Sequence, residues 1–172
     1  MNPRRPEAWL RGPVPGVAPA LQPAAHALLQ VMEELPALLA TLREEEVWAR
    51  PGGSASIGFH AVHLAGSLDR LTTYARGESL SAVQEDALAA ERNLTATRPH
   101  LSPLISLVEG SLRSALAQIA DTPEGSLQTV REVGRARYPS TVLGLLAHGA
   151  EHSVRHAGQI ATLCQVVRGS AI

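Results

Sequence analysis

The sequence predicts an all-α protein, a four-helix bundle. Four long stretches repeat apolar residues at intervals of three and four, the mark of amphipathic helices. Only five of the 172 residues are aromatic while 45% are hydrophobic, so the interior must be built from Leu, Ala and Val, which suits close-packed helices. No segment reads as part of a sizeable sheet.

Residues 1–19 hold five of the twelve prolines and read as an extended N-terminal arm, with Trp9 and Leu10 placed to anchor it. Residues 20–172 read as one bundle domain. Its first helix is expected from about Leu21 to Arg43, with apolar positions at Leu21, Ala25, Leu28, Leu29, Met32, Leu35, Leu39 and Leu42. Pro23 suits the first turn; Pro36 should kink or end the helix. Pro51, Gly52 and Gly53 break the pattern. Ser54 or Ser56 then caps a second helix reaching Arg76, with Gly77 as its stop. Residues 78–100 are ambiguous, and "SAVQEDALAAERNL" reads as a short helix polar on one side. A third long helix follows Pro103 and ends near Asp121. "TPEGSLQTVREVGRARYPS" is a long connection with room for two short extended pieces around Gly134. The last helix is expected from Pro139 and Ser140 to Arg168, with Gly169 as its stop.

Composition excludes several functions. Net charge is −1, which offers no basic surface to nucleic acid or an anionic membrane. All fifteen basic residues are arginine, so Schiff-base lysines and a Walker-type loop are excluded. A single cysteine, Cys164, leaves no internal disulfide and fits a reducing compartment; it reads as a small buried helix residue. No run of about 18 apolar residues occurs, and the proline-broken N-terminus lacks the apolar stretch of a signal peptide. A cytoplasmic location is expected.

Seven histidines remain, and three fall at intervals of four: His148, His152 and His156, within "AHGAEHSVRHAGQI" (147–160). On a wheel at 100° per residue with His152 at zero, Leu145, Gly149, His156, Ile160, Leu163 and Val167 share its face. Two neutral imidazoles on an apolar stripe each need partners, and an unmet buried polar atom costs roughly 1–3 kcal/mol. A metal ion would satisfy both, since residues four apart share one helix face. His148 and His156 are too far apart along the axis to share a first shell. A third ligand must come from another helix, where "IGFHAVHLAGSLDR" (57–70) offers His60 and His63. By the wheel His60 is the more inward. Gln159 lies on the face of His152 and could bond a ligand ring or substrate, and Glu151 points away. Asp69 and Arg70 read as an exposed charge pair. His26 and His100 show no partner. Glu-x-x-His, H-E-x-x-H and G-x-S-x-G are all absent, which excludes di-iron carboxylate, zincin and serine-hydrolase sites.

Three segments together resemble the DinB-like family of metal-binding helical bundles: "EEEVWARPGGSASIGFHAVHLAGSLDRLTTYARGE" (44–78), "TVREVGRARYPSTVLGLL" (129–146) and "AHGAEHSVRHAGQI" with its H-x-x-x-H-x-G-Q core. The likeness runs from about residue 20 to 168. That family includes bacillithiol and mycothiol transferases and thiol-dependent isomerases. The resemblance implies metal ligands at His63, His152 and His156; the wheel adds His60, His148 and Gln159 as additional or second-shell candidates. The resemblance further implies a bundle in up-down-down-up order with a long crossover between the second and third helices, a homodimer, and zinc or nickel as the ion. Three imidazoles around a dication leave a place where a water, or a low-molecular-weight thiol as cosubstrate, would be acidified. The expected activity is therefore a thiol-dependent transfer or a hydrolysis on a small molecule. The alternative is a non-catalytic, stress-related dimer in which the ion staples two helices.

Overall fold

The computed structural model describes residues 5–94 and 98–169. It is mainly helical, with one small sheet. The helices are α1 (Gln22–Leu39), α2 (Glu44–Trp48), α3 (Ile57–Arg76), α4 (Ala82–Glu91), α5 (Leu101–Asp121) and α6 (Val142–Gly169); strands β1 (Val130–Val133) and β2 (Tyr138–Thr141) precede α6.

The termini of these helices follow local chemistry. Ser56 caps α3, its hydroxyl accepting from the Phe59 amide at 3.1 Å. Gly77 stops α3 in the left-handed conformation at φ 83°, which costs glycine no Cβ clash. α1 ends at Leu39, one turn beyond Pro36 and earlier than the apolar spacing suggests. Leu42 is buried in the turn that follows, and the short α2 buries Val47. α4 occupies the ambiguous stretch and is capped by Ser81, whose hydroxyl accepts from the Gln84 amide.

The sheet occupies the long connection that leaves room for two short extended pieces around Gly134. β1 and β2 form an antiparallel hairpin with Val130 opposite Thr141 and Val133 opposite Tyr138. Gly134, at φ 67°, lies in its turn. Arg131 fastens it to the bundle by donating from Nε to the Ala75 carbonyl at 2.9 Å. The hairpin takes Pro139 and Ser140, so α6 begins at Val142. Thr141 Oγ1 accepts the Gly144 amide there.

The N-terminal arm also differs from its expectation. Trp9 and Leu10 remain 62% and 57% exposed, whereas Ala8 is buried. Polar contacts tie the arm down. Gln30 Oε1 accepts the Ala8 amide at 2.8 Å, Gln22 bonds the carbonyls of Val14 and Val17, and Arg11 pairs with Glu33.

The core lies where α1 and α3 each pack against α5 and α6. Leu28, Leu35, Ile57, Leu64, Leu104, Leu112 and Ile160 are fully buried there, and none is aromatic. Ser111 on α5 donates to the Ala65 carbonyl of α3, and Gln118 to that of Thr72, both at 2.9 Å. Between α3 and α6 the approach is close. A Cβ on Gly149 would stand 3.1 Å from Leu68 Cδ1. That glycine lies one turn before His152, and the narrow gap brings imidazoles from the two helices into reach. Among the described residues no helix is long and apolar enough to cross a membrane.

Candidate metal centre

Two helices supply the imidazoles. α3 carries His60 and His63, and α6 carries His148, His152 and His156. One ring nitrogen each from His63, His152 and His156 lies within 4.8 Å of the others, a grouping that could hold a metal ion. His63 Nε2 and His152 Nε2 are 3.1 Å apart. A tetrahedral ion with bonds of 2.0–2.1 Å has neighbouring donors about 3.3 Å apart, so this pair already has the spacing of a shared shell. His152 Nδ1 is buried and has no hydrogen-bond partner among the described residues. The donor set fits a divalent ion of intermediate softness.

The other nitrogens of His63 and His156 are occupied. His63 Nδ1 lies 3.0 Å from Glu91 Oε2, and the ring stacks parallel on Phe59 at 5.7 Å. His156 Nδ1 lies 3.0 Å from His60 Nδ1. Since Glu91 offers only acceptors, His63 Nδ1 carries the hydrogen, and the Nε2 lone pair is turned toward His152 Nε2. Burial raises the Glu91 carboxyl, but hydrogen bonds from His63 and Arg70 and the Arg70 charge outweigh it and hold the group below its ordinary value.

Electrostatics favours the neutral form of His60, His152 and His156. Burial, followed by the charges of the neighbouring rings His152, His63 and His60, pushes His156 down to about 4. Burial and then His63 lower both His60 and His152. Neutral imidazole is the ligating form.

Sequence reasoning misjudged the depth of these positions. The buried residues of α6 include Val142, Leu146, Gly149, Ser153, Ile160 and Cys164, and their stripe centres about 80° from His152 on the wheel. His152 therefore sits at the edge of the core and is half-buried, while His156 is buried. His148 and Gln159, further round, are exposed. His148 faces Glu151 at 3.3 Å and lies outside the three-residue cluster, as does Gln159. On α3 the wheel is right that His60 is the more inward, at 8% exposure. Its recorded ring-nitrogen contact is with His156.

His63 faces a side of α3 that the apolar pattern leaves blank, and α4 covers that side with Glu91. Neither Glu91 nor the true setting of Arg70 was foreseen. Arg70 is buried at 9% and forks onto Glu91, with Nη1 at 2.5 Å from Oε1 and Nη2 at 3.3 Å from Oε2. A signal existed in "SAVQEDALAAERNL", where Gln84, Leu88 and Glu91 share one helix face. Cys164 is buried and its thiol pushed up by that burial, so it is no ready nucleophile. A cleft of about 990 Å³ between Tyr74, Leu88, Arg92, Arg131 and Arg135 contains none of the five histidines of α3 and α6.

A helical bundle with three imidazoles gathered from two of its helices is the architecture of a metal-binding protein class. The sequence profile of the DinB superfamily matches residues 27–160. The match spans most of the chain, including all five histidines of α3 and α6, and the chain belongs to that superfamily. No curated protein matches it.

Proposed function

We propose that this chain is a divalent-metal protein whose ion is held by His63, His152 and His156, and that it acts on a small molecule as a thiol-dependent transferase or a hydrolase. The observation that carries the reading is the convergence of three imidazoles at the margin of the core. His63 and His152 are half-buried there and His156 buried. A site with three protein ligands on such a margin keeps a place for an exchangeable group. A zinc or nickel ion would supply Lewis acidity toward a water or a small thiol.

The protein's own groups do the rest. Phe59 buttresses the His63 ring, His60 and Glu91 hold the far nitrogens of His156 and His63, and the Leu-rich seam keeps water off one side of the cluster. The same reading takes the four long helices in up-down-down-up order, with residues 77–100 as the crossover. In support, Ser111 and Gln118 of α5 bond Ala65 and Thr72 of α3, each pair seven residues apart in the same sense. The proposal keeps a homodimer, to be tested by light scattering.

The experiment is metal binding by untagged protein, measured by elemental analysis and by titration with zinc and nickel, for the wild type and His152→Ala. One ion per chain is expected, with at least a tenfold loss in the variant. Equal binding by the two overturns the ligand set. The loaded protein is then offered low-molecular-weight thiols with a panel of electrophiles, and ester and amide substrates without thiol. Turnover of none of them favours an ion that only staples α3 to α6.

A further inference from the structure

The Arg70–Glu91–His63 chain reaches beyond the three imidazoles. Glu91 is 7% exposed, and an ionised carboxylate is buried to that degree only where it is paired and hydrogen-bonded. Its two oxygens are divided between Arg70 and His63. The backbone makes room for this arrangement: a Cβ on Gly66 would run into the Glu91 carboxylate and stand 2.8 Å from Arg70 Nη1. Gly66 thus lets an ion pair lie against α3 beside His63.

We infer that Glu91, held by Arg70, is a positioning residue for the three-imidazole site: it takes the Nδ1–H of His63, fixes that ring's tautomer and direction, and so presents Nε2 to the ion. The inference rests on the metal reading above for its last step only. The hydrogen-bond geometry is its ground for the first two. A free imidazole in water carries its hydrogen on either nitrogen and rotates about χ2. Here the carboxylate removes both freedoms before an ion arrives. Carboxylates in this position raise the basicity of the ligating nitrogen, and their loss typically weakens metal affinity 10- to 100-fold. The chain also connects the site to α4. Glu91 is the last residue of that helix, so the docking of α4 and the direction of the His63 ring depend on one another.

The test uses the full chain and two readouts. Long-range ¹⁵N–¹H correlation of the histidine rings reports the His63 tautomer in metal-free protein, and zinc titration against a chromophoric chelator reports affinity. The variants are Glu91→Gln, which keeps an acceptor without the charge, and Arg70→Met/Glu91→Leu, which replaces the whole pair with apolar groups and leaves no buried charge unpaired. Wild type is expected to show His63 hydrogenated on Nδ1. The double variant is expected to lose that preference and to bind zinc 10- to 100-fold more weakly, with Glu91→Gln between the two. An unchanged tautomer and unchanged zinc affinity in the double variant would overturn the inference and leave Glu91 a packing residue. Should wild type take up no zinc, the metal reading fails and the tautomer measurement alone decides the role of Glu91.

Discussion

Acidification should unfold the metal-free protein through its imidazoles before its carboxylates. The folded state lowers His156 from an ordinary value of 6.5 to about 4. Between those two values the unfolded chain binds the proton and the folded chain refuses it. Stability therefore rises with pH across that window and falls as pH drops through it. The full effect is about 3 kcal/mol, and about 2 kcal/mol of it should be lost between pH 7.5 and 5. His156 is only 8% exposed, so solvent screens little of this. His60 and His152 are lowered in the same direction, and rings in contact take up protons as a unit, so the loss belongs to the cluster. The assay is urea unfolding in the presence of a chelator at stepped pH, for wild type and His156→Gln. The carboxylates held down by arginines, such as Glu33 and Glu151, act mainly below 4.5. They are common to both proteins, so the difference between the two slopes isolates the imidazole. A wild-type stability that is flat from pH 7.5 to 5, or a slope undiminished in His156→Gln, would refute the reasoning.

Two glycines of the helices should respond oppositely to alanine. At Gly110 on α5 an added Cβ meets nothing within 4 Å, and Gly110→Ala should stabilise by about 0.5–1 kcal/mol in urea unfolding through helix propensity alone. Gly66→Ala should forfeit that gain by driving Glu91 off Arg70 and His63, and a protein as stable as Gly110→Ala would contradict the close packing described at that point. Ser56→Ala removes the cap of the helix that carries His60 and His63 and should cost about 1 kcal/mol, read as a lowered urea midpoint at constant slope. Leu64→Ala, at a fully buried position between those helices, should cost 2–5 kcal/mol. His148→Ala should leave zinc affinity within about twofold of wild type, because that ring faces Glu151 outside the cluster.

The legibility of this chain follows from the range of the interactions involved. Ser56, Gly77 and the apolar spacing of α3 and α5 act within a turn or two, and the boundaries they imply agree with the structure to within about three residues. The i,i+4 pair His152 and His156 was readable for the same reason, since one helix fixes their separation. The hairpin was harder. Four residues a strand leave little periodicity, and β2 carries Pro139; its pairing and its anchor to Ala75 come from elsewhere in the chain.

By itself, then, the sequence determined the helical character of the protein, the caps that frame α3, and the pair of imidazoles one turn apart on α6. Tertiary structure alone decided how deep each ring lies, which nitrogen of His63 faces His152, and that Arg70 and Glu91 stand behind it. The wheel knows only one helix, and the centre of its buried stripe depends on how that helix is rotated against its neighbours. The partnership of Glu91 with His63 spans 28 residues and exists because α4 folds back over the side of α3 that no periodicity marked.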